Sequence, residues 1–263
     1  MHPAKDALCS AKVVLSVFQK RIRLANTVLS VDAEMSMELG GHLPLFVTND
    51  DPDVMVQIRY AQQDENVGYG KCEKTDIGYL VVIPQGVYPR LSLWQIFSLI
   101  PMDTILMERG TVIFHANFLL HNGEAILFSG QSGIGKSTQG GLWAAAGEGE
   151  VINGDRVLLT VLENGVQVDS HYLCGTSGIC SNVSAPLRAI VMLEKGKENV
   201  ISVPSALERF RQIISQMSYR PSDPTHRMYI SGLAGKILEM SQVIHFSCRK
   251  DHSAVCDLMN YLY

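Results

Sequence analysis

The sequence predicts a mixed α/β fold, and three observations support this prediction. Residues 12–90 read as short extended segments rich in Val, Ile and aromatic residues, separated by clusters of Asp, Asn, Gly and Pro. An apolar strand at 125–129 leads into a glycine-rich loop and then into a helix. Further strands and helices follow as far as the C-terminus. We therefore expect a β-rich N-terminal part over 1–109 and a core with a mixed sheet over 110–263.

The N-terminal part is predicted to consist mainly of strands. Residues 54–60 alternate between apolar and other side chains, so this strand should bury one face. The apolar residues between 94 and 106 recur at helical spacing, and Pro101 is expected to bend or split that helix. The predicted strands are 12–18, 27–31, 43–47, 54–60 and 79–83.

The C-terminal part is predicted to contain both strands and helices. Residues 111–121 form a strand that enters a type I′ turn at Asn122-Gly123. A helix is expected over 137–146, although Gly140-Gly141 weakens it. A second Asn-Gly pair, at 164–165, joins two more strands. The remaining predicted strands are 156–162, 166–173, 187–194 and 243–247, and the remaining predicted helices are 204–217, 225–241 and one capped by Asp251.

Composition limits the classes of function. The 263 residues are 46% hydrophobic, which is enough for a sizeable core. The net charge is −4 and there is no Lys/Arg cluster, which argues against nonspecific binding of nucleic acid. The most apolar long stretch, 91–107, is interrupted by Gln95, Pro101 and Asp103, so we expect no membrane span.

The N-terminus and the cysteines indicate a cytoplasmic protein. Residues 1–10 include an acidic residue and no apolar segment, so we expect no signal peptide. The six cysteines form no C-x-x-C pair. Without a secretory signal they are interpreted as reduced thiols.

The run GQSGIGKS at 130–137 matches G-x-x-x-x-G-K-[ST], the Walker A or P-loop motif. Its glycines let backbone N–H groups point at phosphate oxygens, Lys136 places a cation beside the β- and γ-phosphates, and Ser137 offers a hydroxyl to Mg²⁺. The N-terminus of the following helix adds its positive dipole. The candidate nucleotide-binding residues are Gly130, Gln131, Ser132, Gly133, Ile134, Gly135, Lys136, Ser137 and Thr138.

A P-loop protein usually holds Mg²⁺ with an acid near the end of a neighbouring strand. The candidate is Asp155 in VINGD (151–155), which lies unusually soon after the P-loop. The guanine-specific motif N-K-x-D is absent, so ATP is the expected nucleotide.

Several segments together resemble one family. They are FHANFLLHNGEAILFSGQSGIGKST (114–138), Leu142-Trp143 and VINGDRVLL (151–159). They resemble HPr kinase/phosphorylase, and more closely the HPr-kinase-related proteins, which include serine kinases of ribosomally made peptides. The wider structural relatives of that family are the ATP-type phosphoenolpyruvate carboxykinases. CGTSGIC (174–180) and APLRAIVMLE (185–194) are also similar to the small related proteins, so the resemblance covers about 110–250.

The resemblance implies an ATP- and Mg²⁺-dependent kinase that phosphorylates Ser or Thr of a peptide or small protein. Lys136 and Ser137 would bind phosphate and metal, and Asp155 matches the second acid of the family's Asp-Asp turn, which holds Mg²⁺. His115 matches a histidine near the reacting phosphate, so the catalytic candidates are Asp155, His115 and Lys136. The first acid, the general base in HPr kinase, is Gly154 here, which leaves Asp155 or His115 to activate the acceptor. HPr kinases are hexamers, so the resemblance also implies a homo-oligomer.

Alternative interpretations stay open at this stage. The missing first acid favours a second hypothesis, an accessory module that binds nucleotide without catalytic turnover. Asp155 is also compatible with the role of an ordinary turn residue, and His115 with that of a buried core histidine. Arg156 either faces solvent or contacts a substrate phosphate. The segment 174–178 is either a second loop of the site or an ordinary connection.

Two further expectations can be checked against the structure. His245, Cys248, His252 and Cys256 are zinc-ligand types, but the first two differ by three positions in a predicted strand and would point to opposite faces, so no zinc site is expected.

Gly154→Asp is expected to raise phosphotransfer by restoring an acid, provided that Gly154 does not need a positive φ.

Overall fold

The computed structural model describes residues 16–88 and 90–263. Within them the chain is a mixed α/β protein with two β-sheets and six α-helices. The expectation about a signal peptide and most of the predicted strand at 12–18 lie outside the described residues. None of the described helices is long and apolar enough to span a membrane.

The N-terminal sheet has five strands in the order β1-β2-β3-β5-β4. Strand β3 is parallel to both β2 and β5. The edge strands β1 and β4 are antiparallel to β2 and β5, respectively. Two short helices, α1 (Leu93–Ile96) and α2 (Met102–Met107), are separated at Pro101 as predicted. The strands are β1 (Phe18–Leu24), β2 (Thr27–Ala33), β3 (Val54–Tyr60), β4 (Lys71–Thr75) and β5 (Gly78–Ile83).

The prediction of a strand at 43–47 is wrong. Leu43–Phe46 is a 3₁₀-helix with Pro44 in its first turn, where the fixed φ of proline fits and its missing N–H is not needed. The helix buries Leu43 and Phe46, which are three positions apart. Of the predicted strand at 12–18, the described residues 16 and 17 are not in a strand, and β1 begins at Phe18. Strand β4 was missed because its sequence, KCEKT, is charged and lies at the sheet edge.

The second sheet has eight strands. Seven of them follow the order β10-β9-β6-β7-β11-β13-β12, and the eighth, β8, pairs with the later part of β6, whereas β9 pairs with the first part of β6. Strands β7, β11 and β13 are parallel. The strands are β6 (Thr111–His121), β7 (Glu124–Ser129), β8 (Glu150–Asn153), β9 (Arg156–Leu162), β10 (Gly165–Ser170), β11 (Ser184–Lys195), β12 (Val200–Ser202) and β13 (Gln242–Cys248). The helices are α3 (Lys136–Ala145), α4 (Ala206–Gln216), α5 (Pro224–Met240) and α6 (His252–Leu262).

Helices cover both faces of this sheet. Leu127 of β7 belongs to the cluster under α4 and α5, whereas its neighbours Ile126 and Phe128 belong to the cluster under α3 and α6. A strand that is buried on both faces needs apolar residues at successive positions, which explains the continuous run at 125–128. Gly140 lets α3 approach the sheet closely, because a Cβ there would lie 2.6 Å from Oδ1 of Asn117.

The first Asn-Gly turn is confirmed. Asn122 and Gly123 have φ of 50° and 79°, and they join β6 to β7 as the type I′ signal predicts. The second turn lies one residue earlier than predicted, because Gly165 already pairs with Leu162.

The five-stranded sheet ends along the chain at Ile83, and the eight-stranded sheet begins at Thr111, so the predicted division at 109/110 lies in the stretch between the two sheets and stays a prediction. One hydrophobic cluster nevertheless crosses that division, because Ile113, Leu158 and Tyr172 pack with residues of the N-terminal sheet. The ring of Tyr172 meets that of Phe97 edge-on at 5.4 Å. The two parts therefore share a core.

Candidate active site

The P-loop lies between a strand and a helix, as predicted. Strand β7 ends at Ser129, and α3 begins at Lys136. Gly130, Gly133 and Gly135 have φ of 134°, 74° and 123°, which L side chains rarely adopt. The glycines therefore allow the backbone to turn sharply between β7 and α3.

Lys136 is held inside this loop. The residue is 9% exposed, and Nζ donates to the carbonyl oxygens of Gly130 at 3.0 Å and of Gln131 at 3.3 Å. Burial lowers the pKa of Lys136, and the negative charge of Asp155 opposes that shift. The ammonium group is thus held at the cavity described below.

A buried asparagine shapes the turn that carries Asp155. Asn153 is fully buried, and its Oδ1 accepts from the backbone N–H groups of Asp155 and Arg156, both at 3.0 Å. Its Nδ2 donates to the carbonyl oxygen of His171 at 2.6 Å. The sequence did not indicate this role of Asn153 in positioning the acid, because its partners at 171 and 173 are distant in the chain.

His115 and Asp155 contact each other across neighbouring strands. His115 of β6 pairs in register with Arg156 of β9, and its Nε2 lies 3.1 Å from Oδ1 of Asp155. Arg156 turns back toward the same carboxylate, with Nε 3.3 Å from Oδ2, although its side chain is 43% exposed. Ser129 donates to the carbonyl oxygen of His115 at 2.7 Å and ties β6 to the start of the P-loop.

The histidine of this pair is neutral near pH 7. Burial lowers the pKa of His115, the positive charge of Lys136 lowers it further, and Asp155 only partly offsets these effects. The contact with Asp155 is therefore a hydrogen bond from a neutral imidazole rather than an ion pair. A neutral imidazole that is tied to a carboxylate is able to take up a proton.

A cavity of about 290 Å³ brings the predicted residues together. Thr176 and Ser177 line the same cavity, so the segment 174–178 borders the site. Among the predicted nucleotide-binding residues, Gly130 and Gln131 supply carbonyl acceptors to Lys136, and Ile134 packs beside Leu193. The predicted residues that line the cavity are His115, Ser132, Gly133, Gly135, Lys136, Ser137, Thr138 and Asp155.

Two cavities of about 750 Å³ lie elsewhere. One is at the carboxyl ends of β2, β3 and β5, where Arg59 is engaged by Glu65 at 2.7 Å. The other lies along α4 beside Phe210 and Ile214. Neither contains the P-loop or the His115–Asp155 pair, and convergent chemistry identifies a site better than volume does.

The zinc-ligand-type side chains His245 and Cys248 have separate hydrogen-bond or ion-pair partners. Nε2 of His245 lies 3.3 Å from Glu194, and Sγ of Cys248 accepts from Gln139 at 3.1 Å. In the described part of the chain, no three His, Cys, Asp or Glu side chains are grouped to hold a metal.

A buried histidine beside the site predicts sensitivity to acid. His171 is 1% exposed, its Nδ1 accepts from the N–H of Leu173 at 3.0 Å, and its Nε2 has no partner among the described residues. Burial, followed by the positive charge of Arg156, lowers its pKa to about 3. Between pH 6.5 and 3 the unfolded chain therefore binds a proton at this position that the folded chain does not.

The folded state should thus lose about 1.4 kcal/mol of stability per pH unit below pH 6.5 through His171. Asn at this position keeps an acceptor for Leu173 and cannot be protonated. His171→Asn should therefore flatten the fall in the free energy of unfolding between pH 7 and pH 5, measured by urea denaturation. The exposed His252→Asn is the matched control. An unchanged slope in His171→Asn would show that the pKa of His171 is the same in the folded and unfolded states, which contradicts the prediction.

Comparisons with known proteins add little to this geometry. No protein-family model matches the chain, and no curated protein matches it. Among solved structures, the chain is similar to the HPr(Ser) kinase/phosphatase from Coxiella burnetii, with 18% identity and a TM-score of 0.26. That match covers 36% of this chain and 70% of the other. A TM-score this low carries no argument, so the site itself has to support a function.

Proposed function

We propose that this protein is an ATP-dependent phosphotransferase of the HPr-kinase-like type, which transfers the γ-phosphoryl group of ATP to a hydroxyl. One observation carries the proposal: the P-loop ammonium of Lys136 and the His115–Asp155 pair face the same cavity of about 290 Å³. A P-loop alone binds phosphate, whereas a P-loop facing a hydrogen-bonded acid and histidine has the groups that phosphoryl transfer uses.

The residues of the cavity suit a nucleoside triphosphate with Mg²⁺. Lys136 would neutralise the β- and γ-phosphates, and the N-terminus of α3 favours negative charge. The hydroxyl of Ser137 and the carboxylate of Asp155 line the cavity together, and such oxygen donors fit Mg²⁺, which takes its other ligands from phosphates and water. When bound there, Mg²⁺ would neutralise charge that develops on the phosphates.

The chain's own groups would act mainly by positioning. A loose phosphoryl-transfer transition state needs little base catalysis, so the absence of an acid at Gly154 does not rule out turnover. The neutral imidazole of His115 can take the acceptor's proton while Asp155 orients it. We propose Ser or Thr of a peptide or small protein as the acceptor, a cytoplasmic location, and homo-oligomeric assembly. The region 110–263 would be the catalytic core, with 1–109 as the N-terminal part.

A second candidate function is a nucleotide-binding accessory module that does not turn over. The observation that favours it is the absence of a carboxylate at Gly154, where a loop packs instead. The two candidates differ in one measurable outcome, which is the formation of ADP.

Asp155→Asn tests both the metal role and the proposed activity. The substitution keeps the shape of the side chain and removes its charge. We expect ATP to bind without Mg²⁺ as in the wild type, the gain in affinity on adding Mg²⁺ to shrink, and phosphotransfer to fall about 100-fold. Calorimetry measures binding, and coupled detection of ADP with a mixture of Ser- and Thr-containing peptides measures turnover.

The exposed Asp64→Asn is the matched control. If adding Mg²⁺ raises the affinity for ATP equally in the wild type and in Asp155→Asn, Asp155 is a turn residue and does not hold the metal. If the wild type binds ATP·Mg²⁺ but forms no ADP with any peptide or protein fraction, the accessory function is correct.

A further inference from the structure

The segment between β10 and β11 enters the phosphate cavity. Residues Gly175–Ser177 form a 3₁₀-turn, and Thr176 and Ser177 line the cavity opposite Lys136 and Ser137. A side chain on Gly175 would begin 2.9 Å from Cβ of Asp155, so this turn lies directly against the acid. The site therefore contains hydroxyl groups of its own in addition to those of the P-loop.

Gly154 makes this approach possible. A Cβ on Gly154 would lie 2.0 Å from Oγ and 2.5 Å from Cβ of Ser177. Any larger residue at position 154 would thus compete with Ser177 for the same volume. Because this chain has glycine there, its own loop fills the space beside Asp155.

The two hydroxyls of the loop differ in their availability. Oγ of Ser177 donates to the carbonyl oxygen of Cys174 at 2.6 Å and accepts from the N–H of Ile179 at 3.2 Å. The hydroxyl of Thr176 makes no hydrogen bond among the described residues, and the residue is exposed at the cavity. The Ser177 hydroxyl therefore anchors the loop, whereas the Thr176 hydroxyl faces the cavity without a hydrogen bond among the described residues.

Glycines on either side allow the loop to adjust. Gly175 and Gly178 have φ of 60° and 67°, a region that glycine visits without strain. Glycine-flanked loops at active sites can absorb the backbone rotation needed to bring a hydroxyl in line with a phosphate.

We propose that Thr176 is an autophosphorylation site, modified in cis by ATP bound at the P-loop of the same chain. This inference rests on the proposed function. A bond forms between Oγ1 of Thr176 and the γ-phosphorus, and the bond from that phosphorus to the oxygen bridging to the β-phosphate breaks. ADP leaves with that electron pair, and the hydroxyl proton passes to water at the open side of the cavity.

The test uses the full chain with ATP and Mg²⁺ and no added acceptor. Intact mass should show one added phosphoryl group, and peptide mapping should place it on Thr176. Thr176→Val, which keeps the shape but removes the hydroxyl, should show no more incorporation than the Lys136→Ala protein. Thr176→Ser should still be phosphorylated at position 176. The initial rate per molecule should not depend on protein concentration.

Several results would overturn the inference. They are a phosphoryl group mapped to another residue, full incorporation in Thr176→Val, or a rate per molecule that rises with protein concentration. If the wild type forms ADP with peptide acceptors and its own chain stays unmodified, Thr176 is not an acceptor and the proposed function stands. If ATP·Mg²⁺ binds and neither product forms, the proposed function fails as well.

Discussion

Lys136→Met should reduce phosphotransfer by at least about 100-fold, the largest effect that we expect from a single substitution. Methionine keeps much of the length and apolar character of the side chain but lacks the ammonium that faces the cavity. In the wild type, Nζ donates to the carbonyl oxygens of Gly130 and Gln131, which hold the charge at the cavity where we propose that phosphate binds. A charge that is already in place stabilises a developing negative charge without reorganising first.

Calorimetry with ATP·Mg²⁺ and the formation of ADP are the measurements. Lys197→Ala, which removes an exposed lysine outside the cavity, is the matched control. Thermal unfolding of both variants separates loss of the cation from loss of the fold. Wild-type affinity together with wild-type turnover in Lys136→Met would mean that nucleotide binds elsewhere.

Gly154→Ala should lower both stability and phosphotransfer, although φ of Gly154 is not in the left-handed region. At an ordinary position, Gly→Ala stabilises a protein by about 0.4–1 kcal/mol through the unfolded state. Here the new Cβ would lie 2.0 Å from Oγ of Ser177, and overpacking of this kind costs about 1–3 kcal/mol. The sequence-based expectation that Gly154→Asp raises activity is therefore revised: the obstacle is a neighbouring side chain rather than backbone strain.

A double-mutant cycle tests this explanation. Ser177→Gly removes the atoms that the new Cβ would meet, so Gly154→Ala combined with Ser177→Gly should cost less than the sum of the two single changes. Gly154→Asp with Ser177→Gly then gives the restored acid room beside Asp155. Urea denaturation gives the free energies, and additive effects of Gly154→Ala and Ser177→Gly would disprove the overlap.

Local patterns were predicted well wherever local physics decides the conformation. The P-loop needs positive φ at its glycines and a strand before and a helix after it, and all of these requirements lie within about twenty consecutive residues. The hairpin at Asn122-Gly123 is equally local. Helix α4 carries a complete capping box between Ser205 and Glu208, and its predicted span agrees with the structure to within two residues at each end.

The errors arose where tertiary context decides the outcome. Residues 43–47 are apolar enough for a strand, but Pro44 and the burial of Leu43 and Phe46 favour a 3₁₀-turn. Strand β4 is charged and forms only because β5 offers it an edge. Asn153 resembled a turn residue because nothing in its neighbourhood reveals that His171 will accept its side-chain amide.

The sequence by itself predicted the glycine-rich loop between a strand and a helix, the hairpin before it, and the candidate acid and histidine. Only the tertiary structure decided that His115 is a neutral imidazole hydrogen-bonded to Asp155, because its protonation depends on burial and on the charge of Lys136. The tertiary structure also decided that a distant loop fills the space beside Gly154. Contacts of that kind depend on strand register and close packing between segments far apart in the chain, and no local pattern encodes them.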